Sequence, residues 1–212
     1  MAAVRRTRRE KGWWIRSTDW NEHRQITPMN FDIIWLNGTS SSGKTTVSKE
    51  LQNVLDDHFM HVCFDTFYQM LPKGFKPSSE ADSKYVERVH LGFEYSIPAL
   101  ARAGNRLIVD YPFHYSHSLP RCLDLVSEYS VFYVGVFCPA DILEQREEAR
   151  GDRKIGLARR QSVVVHENSE YDIEVDTHQL TPKEAAERVV SAVGSVARPT
   201  AFDRLRLRRE IS

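Results

Sequence analysis

Cysteine is scarce in this chain of 212 residues. Cys63, Cys122 and Cys138 are odd in number, widely spaced and without a C-x-x-C pair. That speaks against a disulfide framework and for reduced thiols in a cytoplasmic protein. Long apolar runs are missing too. None approaches the roughly 20 residues that span a bilayer, and no ~7–15-residue apolar segment of a secretory signal follows the N-terminal arginines. No internal repeat is present. What remains, with 41% hydrophobic and 27% charged residues, is the composition of a globular protein large enough for one continuous core.

Net charge is also absent, but its parts are unevenly placed. Of 29 basic and 29 acidic groups, residues 1–28 hold seven and three, and residues 196–212 hold five and two. The body between them keeps 17 and 24, a net of −7. An acidic body argues against nucleic acid as the main ligand, because phosphate backbones need a basic surface. The expected organisation is a basic extension over 1–28, a domain over 29–195 and a solvated basic tail over 196–212. The first segment reads as a disordered extension, or as the product of a start assigned ahead of Met29.

From residue 31 onward short apolar runs alternate with helical patterns. Phe31–Asn37, Met60–Phe64, Arg106–Asp110, Val131–Phe137 and Tyr171–Asp176 read as five strands, most without polar alternation, as in a parallel sheet covered on both faces. Val47, Leu51, Val54 and Leu55 share one face of a helix after the first run. Thr181-Pro182-Lys183-Glu184 is a capping box with proline at the first helical position. Strands alternating with helices predict an α/β three-layer domain.

Gly38-Thr39-Ser40-Ser41-Ser42-Gly43-Lys44-Thr45 fits G-x-x-x-x-G-K-[ST] at every fixed position, followed by Thr46 and an amphipathic helix. Backbone N–H groups of such a loop form an anion cradle at a helix N-terminus. Lys44 is expected to reach the β- and γ-phosphates of a bound nucleotide, and Thr45 to ligate Mg²⁺. The loop identifies a nucleotide, not what receives its phosphoryl group.

Strand ends carry the next candidates, since ligands of open parallel sheets sit at the carboxyl ends of strands. The second run leads into Asp65 and the third ends in Asp110. Asp110 suits a magnesium-side acid, and Asp65, followed by Phe67 and Tyr68, suits an organic substrate. Either is also an ordinary turn former. Phe67, Tyr68, Met70, Leu71 and Phe75 read as the lining of an acceptor pocket or as a cap on the sheet. Further on, "REEARGDRKIGLARRQ" places Arg150 and Arg153 around Gly151-Asp152, where a lid would close on a phosphoryl group. The alternative is a solvated charge run paired as Glu147 with Arg150. His114 and His117 form an H-x-x-H pair without an evident third ligand, which weighs against zinc.

With those residues in view, the chain resembles the chloramphenicol 3-O-phosphotransferase family of P-loop kinases over about residues 31–195. The resemblance lies in "LNGTSSSGKTT", "CFDT", "ARAGNRLIVD" and, most specifically, "EEARGDRKIGLARRQSVVVHENSEYDIEVDT". It implies a P-loop NTPase three-layer sandwich with a five-stranded parallel sheet of order 2-3-1-4-5. It also implies ATP as donor and a small-molecule hydroxyl as acceptor. Asp65 takes the position of the base facing that hydroxyl. Lys44 and Thr45 take the phosphate and magnesium positions, Arg150 and Arg153 those of the clamping arginines, and the loop after "EVDT" borders the adenine. Residues 66–89 and "DYPFHYSH" depart from the chloramphenicol enzyme, and Pro98 predicts a kinked or shifted helix. A nucleotide or metabolite kinase and a nucleotide-dependent switch remain as alternatives.

Overall fold

The five apolar runs form five strands in the computed structural model, which describes residues 31–150, 156–162, 164–167, 169–196 and 198–211. These are β1 (Ile33–Asn37), β2 (Phe59–Cys63), β3 (Arg106–Asp110), β4 (Val131–Phe137) and β5 (Ile173–Asp176). They pair in parallel in the order β2-β3-β1-β4-β5. Every residue of the central β1 is buried. This is why its sequence shows no polar alternation: both faces of a parallel sheet must meet apolar layers.

Eight helices supply those layers among the described residues: α1 (Lys44–Val54), α2 (Phe64–Tyr68), α3 (Glu80–Arg102), α4 (Ser118–Leu125), α5 (Ala140–Arg150), α6 (Leu157–Ser162), α7 (Pro182–Val193) and α8 (Ala201–Ile211). Successive residues of β1 point to opposite faces. Ile34 and Leu36 join Val47 and Leu51 of α1 and Ala185 and Val189 of α7 in one apolar cluster. Ile33 and Trp35 join Phe93 and Ile97 of α3, Leu123 of α4 and Phe202 of α8 in the other. The capping box forms as its spacing predicts: Thr181 Oγ1 accepts from the Glu184 N–H and Glu184 Oε2 accepts from the Thr181 N–H. No helix among the described residues is long and apolar enough to cross a membrane.

Two expectations are corrected. Of the kinked or shifted helix that Pro98 predicts, the shifted start is not found. α3 begins at Glu80, where Ser79 and Asp82 form a second capping box, and continues to Arg102. Proline removes one helical hydrogen bond at a cost of about 3 kcal/mol, but Phe93, Ile97 and Ala101 are buried on the sheet along this same stretch. The segment expected as a solvated tail is the second. Ala201, Phe202 and Leu205 form one apolar face of α8 and are buried. The Phe202 ring lies 4.8 Å from Tyr133 and 5.5 Å from Trp35. The arginines of α8 meet acids of the body: Arg208 sits 2.7 Å from Glu170, Arg209 sits 2.9 Å from Asp124, and Arg204 also pairs with Glu170. Charge counting sees a basic run and misses that an acidic partner surface waits for it. The expected extension over 1–28 lies outside the described residues.

Phe202→Ala is expected to lower stability by about 3 kcal/mol in urea unfolding, the usual cost of truncating a buried phenylalanine. A loss below about 0.5 kcal/mol, typical of a surface position, would instead mark residues 198–211 as a solvated tail.

Candidate active site

The phosphate-loop sequence becomes a turn because two of its positions admit no side chain. A Cβ on Gly38 would lie 2.3 Å from the carbonyl oxygen of Val136 on β4. Gly43 has φ +92°, left-handed backbone that glycine adopts without strain. The chain leaves β1, turns through Ser40–Ser42 and enters α1 at Lys44. The Lys44 ammonium donates to the Thr39 carbonyl at 2.7 Å, inside the loop it follows. The Thr45 hydroxyl donates to Asp110 Oδ2 at 2.6 Å. These contacts bring the first helical turn against the end of β3.

Asp110 is buried, and burial alone pushes its carboxyl up. His61 at 3.6 Å, the charge of Lys44 and the Thr45 hydroxyl more than offset this and hold it below the usual carboxylate value. Cys63, whose Sγ lies 3.6 Å from the same oxygen, is pushed up to about 11 by burial and by the Asp110 charge.

A cleft of 910 Å³ opens over the loop. Ser40, Ser41, Gly43, Lys44, Thr45 and Thr46 line it together with Asp110. Asp65 enters from the first turn of α2, accompanied by Phe64, Tyr68 and Gln69. Asp65, Tyr68 and Asp110 are thus brought to the loop as their positions at strand ends predict. Phe67 is not: it turns into the core, its ring 5.6 Å from Phe93. Met70 is exposed, and Phe75 packs edge-on against Tyr85.

The lid region is held differently from a solvated charge run. Glu147 is fully buried and accepts from the N–H groups of Gly156 and Ala158, fastening the start of α6 to α5. Gln161 Oε1 accepts from the Ser40 N–H at 2.6 Å. Arg146 donates to the carbonyls of Ser41 and Thr177 and to the Thr177 hydroxyl, which itself donates to the Ser42 carbonyl. Arg146 and Arg160 line the cleft. Arg153 and the side chain of Arg150 lie outside the described residues.

The H-x-x-H pair is split. His117 sits 3.9 Å from Glu87, whereas His114 faces the cleft and donates from Nδ1 to the Pro112 carbonyl. His90, from the middle of α3, also lines the cleft. Its ring stacks 3.8 Å from Phe64, and burial lowers its pKa to about 3. Sequence reasoning passed over His90, Arg146, Gln161 and Thr177. Arg146 and Gln161 are the ends of the arginine-rich run, and Thr177 closes "EVDT", so local signals existed for three. For His90, inside a helix far along the chain from the loop, there was none.

A glycine loop between the central parallel strand and a helix, with a lysine, a threonine and a strand-end acid beneath one cleft, defines a P-loop kinase-type phosphotransferase. The family model for chloramphenicol phosphotransferase-like proteins matches residues 31–194. The chain belongs to that family. Two Mycobacterium tuberculosis proteins, each provisionally named an O-phosphotransferase, are 29% identical over 198 residues, 83% of this chain and 88% of theirs. The fold is also that of Mycobacterium tuberculosis APS kinase CysC in complex with AMPPNP and APS (16% identity, TM-score 0.59, 77% of this chain and 97% of that one). It is shared with the Deinococcus radiodurans tunicamycin resistance protein (19%, 0.58, 79% and 98%) and a Sinorhizobium meliloti gluconokinase (13%, 0.56, 76% and 90%).

The histidine shift fixes a pH dependence. His90 stays neutral in the fold, while in the unfolded chain it takes up a proton near its ordinary value of 6.5. Acid therefore favours unfolding, and the histidine's contribution is complete above pH 6.5 and lost as pH falls toward about 3. His90→Asn, which cannot titrate, is expected to make the decline of the urea midpoint across this window shallower. An unchanged slope would show that His90 is charged in the fold.

Proposed function

We propose that the protein transfers the γ-phosphoryl group of ATP to a hydroxyl of a small organic molecule. The observation that carries this reading is that Asp65 and the phosphate loop line one 910 Å³ cleft. A site that only hydrolysed nucleotide would need neither that volume nor aromatic walls at Phe64 and Tyr68.

In this reading the backbone of residues 38–46 cradles the triphosphate, with Lys44 on its β- and γ-oxygens. The loop after β5, held to the cradle by Thr177 and Arg146, borders the adenine. Thr45 and Asp110 offer hard oxygen donors 2.6 Å apart, the ligand type that magnesium takes, and they would hold Mg²⁺. When bound, that ion neutralises charge on the β- and γ-phosphates.

Asp65 accepts a hydrogen bond from the acceptor hydroxyl and aims its oxygen at the γ-phosphorus. As the O–P bond forms, the bond from phosphorus to the β,γ-bridging oxygen breaks. ADP leaves with that electron pair, and the hydroxyl proton passes to the Asp65 carboxylate. The position of Asp65 matters more than its basicity, since in a loose transition state the hydroxyl gives up its proton late. Arg146 and Arg160, with Arg150 and Arg153 from the lid, spread positive charge over the equatorial oxygens.

Mass spectrometry of ATP reactions with a panel of hydroxylated antibiotics, sugars and nucleosides, chloramphenicol among them, is expected to show a phosphate ester. Asp65→Asn should lower kcat about 100-fold or more, the scale of a lost catalytic base, with the affinity for ATP retained. Lys44→Ala should abolish turnover in a folded protein. Near-wild-type transfer by Asp65→Asn would remove the base from the mechanism. Slow hydrolysis indifferent to every alcohol would assign the chain to nucleotide-dependent switches instead.

A further inference from the structure

A buried chain of polar groups behind the cleft determines which nitrogen of His90 carries its proton. It starts at Glu94, a fully buried carboxylate on α3 whose Oε2 accepts from Arg121 at 2.6 Å. Paired with a guanidinium, Glu94 is ionised and can only accept. The Tyr111 hydroxyl lies 2.8 Å from Glu94 Oε1, and burial beside that charge raises its pKa, so it keeps its proton. Its single hydrogen therefore goes to Glu94. His90 Nδ1, 3.0 Å from the same hydroxyl oxygen, must then be the donor.

The consequence falls at the other end of the ring. A neutral imidazole has one N–H. With the proton on Nδ1, directed into the interior, Nε2 is left as a bare acceptor for the cleft that His90 lines. His90 is 4% exposed and lines the cleft, where Nε2 can accept from a bound donor.

His114 repeats the arrangement by a different route. Its Nδ1 donates to the Pro112 carbonyl at 3.2 Å, which leaves Nε2 as an acceptor in the same cleft. The two rings meet edge to face at 5.2 Å. Burial and the nearby Lys44 charge oppose a second proton on His114, and burial does so on His90. Asp65, also on the cleft, is a third acceptor.

We propose that the Nε2 atoms of His90 and His114 form an acceptor pair that reads O–H or N–H donors on the molecule being phosphorylated. This rests on the phosphotransfer reading above and narrows its substrate class to polyols and amido alcohols. A simple alcohol satisfies Asp65 and leaves both imidazoles bare. A molecule with a second donor beside the reacting hydroxyl satisfies them too, while Phe64 and Tyr68 offer an apolar wall for its remainder.

Two variants separate the acceptor from the fold. His90→Asn keeps an amide N–H to donate to Tyr111 and removes the acceptor at the Nε2 position. His90→Gln places an amide oxygen near that position. The probes are 3-phenylpropane-1,2-diol and 3-phenylpropan-1-ol, which differ by one hydroxyl. The wild type is expected to favour the diol in kcat/KM by about tenfold, the worth of one hydrogen bond. The ratio should fall toward one in His90→Asn and recover in part in His90→Gln.

Nitrogen-15 spectra of the imidazoles, assigned through the variants, should show His90 Nε2 unprotonated and shifted by the diol but not by the alcohol. A protonated Nε2, or full discrimination retained in His90→Asn, overturns the proposal. If the wild type phosphorylates neither probe, the phosphotransfer reading fails on these acceptors. The Nε2 response still decides the proposal: a diol-specific shift supports the subsite, and no shift ends it.

Discussion

The side-chain amide of Asn37 ties together the parts on which the site depends. Asn37 ends the central strand, is fully buried, and immediately precedes the phosphate loop. Its Oδ1 accepts from the Phe113 N–H at 2.9 Å, and its Nδ2 donates to the Val165 carbonyl and the Tyr171 hydroxyl, both at 2.8 Å. The first bond positions the 111–117 loop that carries His114. The second fixes the segment beyond α6, and the third the approach to β5. A fully buried amide with three of its four hydrogen-bonding sites filled has one low-energy orientation. The register of three cleft walls relative to the loop therefore converges on one residue.

Around that anchor the protein uses buried charge to set geometry. Glu94 holds Arg121 and Tyr111 behind one wall, and Glu147 holds the N-terminus of α6 beside another. Each is fully buried and hydrogen-bonded at both oxygens. Replacing one carboxylate by an apolar group would strand the partner it satisfies, the costly half of breaking a buried polar network. These carboxylates act as fixed posts, whereas Asp65 stands on the cleft side, where a substrate can meet it.

The fold and the phosphate loop were legible in the sequence for local reasons. A strand buried on both faces must be apolar throughout, and a loop that brings its backbone close to β4 needs glycine at residue 38. Thr45 and Asp110 were readable as partners because one follows the loop and the other ends a strand. Phe67 was misread because its ring packs against Phe93 of α3, a contact that no local spacing gives. Residues 198–211 were misread because a basic run looks the same whether its acids are solvent counterions or Glu170 and Asp124.

By itself, then, the sequence determined the strand–helix alternation, the phosphate loop and the strand-end acids, since each follows from a spacing within a few residues. Only the tertiary structure decided that His90, His114, Arg146 and Gln161 share a cleft with Asp65. They come from α3, the loop after β3, α5 and α6, which the order β2-β3-β1-β4-β5 brings together. The proton on His90 is likewise a tertiary fact. It is set by an oxygen of Tyr111, 21 residues away in the chain, and that oxygen's own hydrogen is claimed by Glu94.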